Sequence, residues 1–212
     1  MNGIDKIFTE IAGKPVILHT MDAFENSPLI DGIVLVLSEE NLWKSEELLK
    51  RCNYKKIISI CAGGEERQDS VGEGVKRIGE CDFILVHDCG RPCVTAATIE
   101  LGIQEAGREG IAVAGSPVTD TIKQVDATEH VEQTFDRSKL RAMHTPQVFR
   151  AEILKEMHQN PTIKATDDAA LAESMGYKVK IYRDSAENIK ITTPEDIAAV
   201  ENILSRRARA KS

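Results

Sequence analysis

Phe83-Ile84-Leu85-Val86-His87-Asp88 is the stretch that decides the fold. Its first four residues form an unbroken apolar run, which reads as a short strand buried on both faces. The run stops abruptly at a histidine and an aspartate. A carboxylate placed directly after a buried strand stands at the carboxyl edge of the sheet, where open α/β folds bind their ligands. Comparable runs lie upstream, GIVLVL at 32–37 and KIISIC at 56–61, and another follows at 111–116.

Helical patterns separate these strands. One opens at Gly13-Lys14-Pro15 and runs to about Asn26, with the proline in its first turn. Others are expected from Ser38 to about Arg51 and over 67–78 and 96–108. Alternation of this kind predicts an α/β fold with a mostly parallel sheet flanked by helices. Residues 120–137 break the rhythm with two half-alternating segments around a polar turn, a β-hairpin without a clear apolar face. Such a hairpin is either an arm that pairs with another subunit or a surface loop. The chain then returns to a helix over 150–158, a second from Thr166-Asp167, a strand at 178–182, the segment NIKIT at 188–192, and a last helix from Thr193-Pro194-Glu195. The 212 residues suit one domain with an arm.

Composition removes several classes of function. A net charge of −7 does not suit a nucleic-acid-binding face, although a small anionic ligand needs only a few local cations. The basic stretch 206–211 reads as a helix end whose cations complement the macrodipole. Five cysteines, with no signal peptide and no apolar run of membrane-spanning length, point to free thiols in the cytoplasm. His87, Cys89 and Cys93 have a metal-like spacing, but a zinc site wants a second ligand pair, and cysteines packed as small apolar residues are the better reading.

Asp88 is the most informative residue for chemistry. A hard oxygen ligand there suits Mg²⁺, which takes one or two carboxylates together with substrate phosphates. Arg91, in HDCGRP, either holds a phosphate or fastens the loop by pairing with Asp88. GGEERQDS at 63–70 brings a glycine pair, Gly63-Gly64, to a helix start, where backbone N–H groups can approach an anion. Ser70 within it is a local capping group or part of a site. Lys6, Thr121, Thr145, Thr166 and Lys190 stand at element edges, and as a set they offer cations and hydroxyls to phosphates and a polyol. No nucleophile-and-base pair of the hydrolase kind is evident, so the chemistry expected is electrostatic.

GGEERQDSV, VHDCGRP, PVTDTIK, FDR, TPQVF, ATDDA and ENIKITTPED occur in an order and spacing that resemble the 2-C-methyl-D-erythritol 4-phosphate cytidylyltransferase family, over essentially the whole sequence. The resemblance implies a Rossmann-like nucleotidyltransferase fold that joins CTP to a methylerythritol phosphate with Mg²⁺, as a cytoplasmic homodimer. It also implies roles. Lys6 would stabilise charge at the α-phosphorus, and Asp88 would sit near the metal and both substrates. Gly63, Gly64, Glu65, Ser70, Cys89 and Arg91 would form the nucleotide side. Thr121, Thr145, Thr166 and Lys190 would line the sugar-phosphate pocket, and Arg137, at the base of the arm, would reach the partner's substrate phosphate. On this resemblance 120–137 is a dimer arm.

The family pattern begins with a strand and a glycine-rich loop ending in Arg-Met, whereas this sequence starts at that methionine, without the strand, loop or arginine. Asp168 stands where Glu is common, and Cys89-Gly90 where small residues such as Ala-Ala are usual. Other readings stay open. They are a cytidylyltransferase using ribitol 5-phosphate or another sugar phosphate, a non-catalytic dimeric remnant, and a metal-binding module on His87, Cys89 and Cys93.

Overall fold

Residue order along the chain alternates strand and helix as the apolar runs require. The structure, a computed structural model, describes residues 6–161 and 163–210. After a 3₁₀ turn at Lys6–Phe8, short strands β1 (Glu10–Ile11) and β2 (Lys14–Pro15) form a small antiparallel pair, and α1 spans Val16–Glu25. Then come β3 (Ile33–Leu37), α2 (Leu42–Lys50), β4 (Ile57–Ala62), α3 (Arg67–Val75), β5 (Phe83–Val86), α4 (Ala96–Glu109) and β6 (Ile111–Pro117). The hairpin strands β7 (Lys123–Val125) and β8 (Val131–Thr134) follow, and β9 covers Arg141–Arg150. The chain ends with α5 (Ala151–Gln159), α6 (Asp168–Ser174), β10 (Lys180–Arg183) and α7 (Pro194–Arg209). The start of the motif containing Lys6 and the last two residues of the sequence, Lys211 among them, lie outside the described residues.

Local signals account for most boundaries. Thr95 caps α4 by accepting from Thr98 N, and Gly110, at φ +86°, ends it. Thr193 and Asp196 make a reciprocal capping box on α7 with Pro194 in the first turn. Two starts differ from expectation. Pro15 precedes α1 as its N-cap, because it is the last residue of β2. Ser38 opens a 3₁₀ turn at Glu39–Asn41, and α2 begins only after it. The basic C-terminal turn does more than complement a dipole, since Arg206 and Arg207 both pair with Glu187.

The main sheet has the order β10-β6-β9-β5, with β10 parallel to β6 and β9 antiparallel to both β6 and β5. The class is α/β, but the sheet is mixed rather than mostly parallel. The cause is β9, a strand the sequence did not suggest because Pro146 removes a ladder donor from its middle. The ladder with β6 solves this with an irregularity. Val113 pairs with Gln147 and Gly115 with Met143, so His144, Thr145 and Pro146 share the space opposite Ala114. A bulge of this kind re-aims side chains, and here it does so beside the carboxyl end of β5.

β3 pairs in parallel with β4 as a separate two-stranded unit, and among the described residues β3 and β5 each pair on one side only. Ile33 of β3 and Leu85 of β5 nonetheless pack against the same buried group, Ile30, Val94 and Ile99. One apolar layer joins Phe149, Leu154, Met157 and Leu171 under α5 and α6. Another joins Ala106, Ala112, Ala114, Val148 and Tyr182 under α4. No helix among the described residues is long and apolar enough to cross a membrane.

Candidate active site

Five segments converge at the carboxyl end of β5. They are the loop carrying Asp88, the bulge of β9, the first turn of α3, the residues leading into α6, and the segment 188–192 before α7. Between them lies a cavity of about 140 Å³ whose walls include Arg67, Asp88, Arg91, Thr145, Thr166 and Lys190. Backbone ties hold the segments in register. Arg91 N donates to Asp88 O at 3.0 Å, and Ile191 N donates to Gly90 O at 2.9 Å, which brings Lys190 over the Asp88 loop. Asp88 N donates to the Thr145 hydroxyl at 3.1 Å, fixing the loop to the bulge.

Asp88 faces three cations. Lys190 Nζ lies at 2.9 Å, Arg67 Nε at 3.5 Å and Arg91 Nε at 3.7 Å. Burial pushes the Asp88 carboxyl upward, but Lys190 and Arg67 outweigh it and hold the group below the ordinary aspartate value. Arg91 is nearly buried; Nη1 donates to Asn188 O at 2.7 Å, while Nε has no hydrogen-bond partner. Gln147 Oε1 is a second buried polar atom without a partner, and its amide nitrogen donates to Asp167 Oδ2 at 2.7 Å. The walls thus set three cations against two carboxylates, Asp88 and Asp167, and carry a buried donor, Arg91 Nε, and a buried acceptor, Gln147 Oε1, which a phosphate oxygen and a hydroxyl would complete.

The structure brings Asp88, Arg91, Thr145, Thr166 and Lys190 together around the cavity. Lys6, Gly63, Gly64, Glu65, Ser70, Cys89, Thr121 and Arg137 are not among its lining residues. Gly63 to Ser70 form a tight turn in which Gly64 N donates to Ser70 Oγ, and Ser70 Oγ donates to Glu66 O. Ser70 is therefore a turn-stitching group whatever else it does. Cys89 O accepts from Thr20 Oγ1, and Arg137 Nη1 donates to Thr119 O at the foot of the hairpin. Among the described residues no group of three His, Cys, Asp or Glu is placed to hold a metal ion. His87 is engaged by Thr145 and Arg91 O instead.

Besides Met143, sequence reasoning missed four polar wall residues, Arg67, His144, Gln147 and Asp167. All four lie inside quoted motifs or beside them, yet their partners are remote. Arg67 Nη1 pairs with the buried Asp168 at 2.7 Å, and His144 Nδ1 with the buried Asp184 at 2.8 Å. Asp167 offered a local signal, since an aspartate before an Ala-rich run caps a helix; it accepts from Ala170 N.

A sequence profile of the family described as 2-C-methyl-D-erythritol 4-phosphate cytidylyltransferase matches residues 1–206. The chain belongs to this family. Relatives carrying the same description include one from Dehalococcoides mccartyi, 46% identical over 97% of this chain and 91% of its own length. Another, from Halalkalibacterium halodurans, is 39% identical over 98% of this chain and 92% of its own. Among solved structures, the 4-diphosphocytidyl-2C-methyl-D-erythritol synthase of Anaerococcus prevotii superposes with a TM-score of 0.84 at 27% identity, covering 92% of this chain and 88% of that one. The 2-C-methyl-D-erythritol 4-phosphate cytidylyltransferase of Thermus thermophilus gives 0.78 at 25% identity, with 94% of each chain covered. The cavity around Asp88 thus belongs to a cytidylyltransferase family, a class of nucleotidyltransferase enzymes.

Proposed function

We propose that this chain joins CTP to 2-C-methyl-D-erythritol 4-phosphate, giving 4-diphosphocytidyl-2-C-methyl-D-erythritol and pyrophosphate, in isoprenoid precursor biosynthesis. The observation that carries the reading is the ring of Lys190, Arg67 and Arg91 around Asp88, in a chain of this family. A phosphate oxygen of the sugar phosphate attacks the α-phosphorus of CTP. One O–P bond forms, the bond to the β-phosphate bridging oxygen breaks, and pyrophosphate leaves with the electron pair. The attacking phosphate is already an anion, so no base is needed, and the protein's work is alignment and charge neutralisation.

Lys190 and Arg91 are suited to holding phosphate oxygens, and Thr145 and Thr166 to the polyol hydroxyls. Asp88 keeps the cations spaced before substrate arrives. Gly63, Gly64, Glu65, Ser70 and Cys89 are assigned to the nucleotide, and Lys6 to the charge at its α-phosphorus. Among the described residues, the cavity offers a metal Asp88, which already faces three cations, and Asp167, which already accepts from Gln147 Nε2 and Ala170 N, and these do not make a resident metal site. Magnesium in this scheme is carried in on the triphosphate as part of the substrate. Exposed Val125, Val131 and Phe135 on and beside the hairpin support a homodimer in which Arg137 serves the partner's pocket, while Thr121 is assigned to the sugar phosphate. The setting proposed is the cytoplasm.

Pyrophosphate release, measured with CTP, Mg²⁺ and either 2-C-methyl-D-erythritol 4-phosphate or ribitol 5-phosphate, tests the reading. Turnover at least about tenfold more efficient with the methylerythritol phosphate is expected, a difference of about 1.4 kcal/mol. Lys190→Met should lose most of that efficiency. Equal or better turnover with ribitol 5-phosphate would reassign the substrate, and no release with either would remove the catalytic reading.

A further inference from the structure

We infer that Arg67 is a positioning residue that couples the nucleotide turn to the sugar-phosphate cavity, so that each substrate tightens the binding of the other. The inference rests on the cytidylyltransferase reading and adds to it a device in the chain's own side chains.

The turn at Gly63 and Gly64 cannot move independently of the first turn of α3. A Cβ on Gly63 would lie 2.4 Å from Ser70 Oγ, and one on Gly64 would lie 2.3 Å from Asp69 Cβ, so the glycine backbone rests directly on α3. Glu66 and Asp69 close a reciprocal capping box across the same residues. The turn and the start of α3 therefore move as one unit, and Arg67 is its first helical residue.

From that unit the guanidinium reaches two carboxylates on two other elements. Nη1 lies 2.7 Å from Asp168 Oδ2, and Nε lies 3.5 Å from Asp88 Oδ1. Asp168 is 1% exposed, and its other oxygen lies 2.8 Å from His158 Nε2, so it is a fixed anchor. It directly follows Thr166 and Asp167, which line the cavity. A second strut runs parallel to the first, where Ala165 N donates to Gln68 Oε1 at 2.8 Å. A ligand that settles the Gly63–Ser70 turn thereby settles Arg67, and through it both Asp88 and the loop entering α6. Buried ion pairs are poor sources of net stability, whereas a forked arginine fixes geometry between two carboxylates in a way that the single ammonium of lysine cannot.

The test is a binding cycle with unreactive ligands. The affinity of α,β-methylene-CTP with Mg²⁺ is measured by calorimetry with and without saturating 2-C-methyl-D-erythritol 4-phosphate, for wild type, R67K, R67Q and D168N. Wild type should bind the nucleotide at least about fivefold tighter when the sugar phosphate is present, the lower end of ordinary site coupling. In R67K and D168N the ratio should fall to within about twofold of unity. A purely structural role would lower melting temperature and both single-ligand affinities while leaving the ratio intact, and that result overturns the inference. So does a ratio near one in wild type. Should R67Q not fold, R67K and D168N decide the matter. Failure of wild type to bind the nucleotide at all would instead overturn the cytidylyltransferase reading, and this inference with it.

Discussion

His144 Nδ1 lies 2.8 Å from Asp184 Oδ2, and the Asp184 side chain is completely enclosed. The same carboxylate accepts from Asn188 Nδ2 at 2.7 Å and from Thr98 Oγ1 at 3.2 Å, and Asn188 Nδ2 also reaches Thr145 O. Asp184 therefore ties the β9 bulge, the 188–192 segment and α4 to one buried charge. Burial alone would raise its pKa, but the bonds from His144 and Asn188 hold it below the ordinary value. Asp184→Ala removes the acceptor that His144, Asn188 and Thr98 share, and leaving buried donors short of a partner costs about 1–3 kcal/mol. Urea unfolding should show a loss of that size, and the KM for the sugar phosphate should rise as the bulge loosens. Asp184→Asn, which keeps the shape, should lose less.

His87 makes a pH prediction. Burial is the main cause that drops its pKa from 6.5 to about 4. Its ring packs on Phe24 with centroids 5.0 Å apart. Nε2 faces Arg91 O at 3.2 Å and Nδ1 faces the Thr145 hydroxyl at 3.0 Å. A carbonyl only accepts, so Nε2 carries the proton and Nδ1 accepts from Thr145 in the neutral ring. The unfolded chain binds this proton near pH 6.5, whereas the folded chain resists it until about pH 4. The contribution is therefore fully present above pH 6.5 and is lost as pH falls towards 4, by about 3 kcal/mol in total. Denaturant unfolding at pH 7 and pH 5 should show wild type losing more stability than His87→Asn. Equal losses in the two proteins would refute the assignment.

Much of this architecture was legible because it is local. The apolar run 83–86 ending at Asp88 fixed the sheet edge where the site lies, and Thr193-Pro194 announced α7 through its capping pattern. β9 was illegible for a physical reason. Pro146 disqualifies a strand by ordinary rules, and only the irregular pairing opposite Ala114 makes room for it. Arg67 was hidden differently, since its main partner, Asp168, is 101 residues away. A cation one residue inside a helix start looks like a solvated side chain until the fold brings a buried carboxylate to it. The resemblance supplied the particular roles of Lys6, Thr121 and Arg137, none of which lines the cavity.

The glycine turn yields a separate prediction for nucleotide binding. An added Cβ on Gly64 would meet Asp69 Cβ at 2.3 Å, backed by the capping box, so the turn must open to admit it. Opening it displaces the N–H that donates to Ser70 Oγ. Gly64→Ala should raise the KM for CTP by about tenfold, equivalent to about 1.4 kcal/mol, with a smaller change in the KM for the sugar phosphate. Steady-state kinetics varying each substrate in turn separates the two. A larger effect on the sugar phosphate would place the turn's role elsewhere.

Gly102 sets two effects against each other, and their magnitudes decide the outcome. It lies inside α4, where alanine is the better helix former by about 1 kcal/mol. The helix packs so closely on the sheet, however, that an added Cβ would lie 2.7 Å from Tyr182 Oη and 2.9 Å from Val148 Cγ2. The tyrosine cannot swing away freely, because its hydroxyl donates to Pro146 O at 2.9 Å within the β9 bulge. Overpacking of a well-filled core costs about 1–3 kcal/mol, and displacing Tyr182 would add the loss of a buried hydrogen bond worth about 1 kcal/mol. Gly102→Ala should therefore destabilise the protein by about 1–2 kcal/mol net despite the gain in helix propensity. Thermal and urea unfolding of the single variant, and of Gly102→Ala with Tyr182→Phe, would check the argument. The double variant should recover part of the loss, because the phenyl ring lacks the atom that clashes first. Stabilisation by Gly102→Ala alone would show that α4 can shift on the sheet and that the close approach is not a constraint.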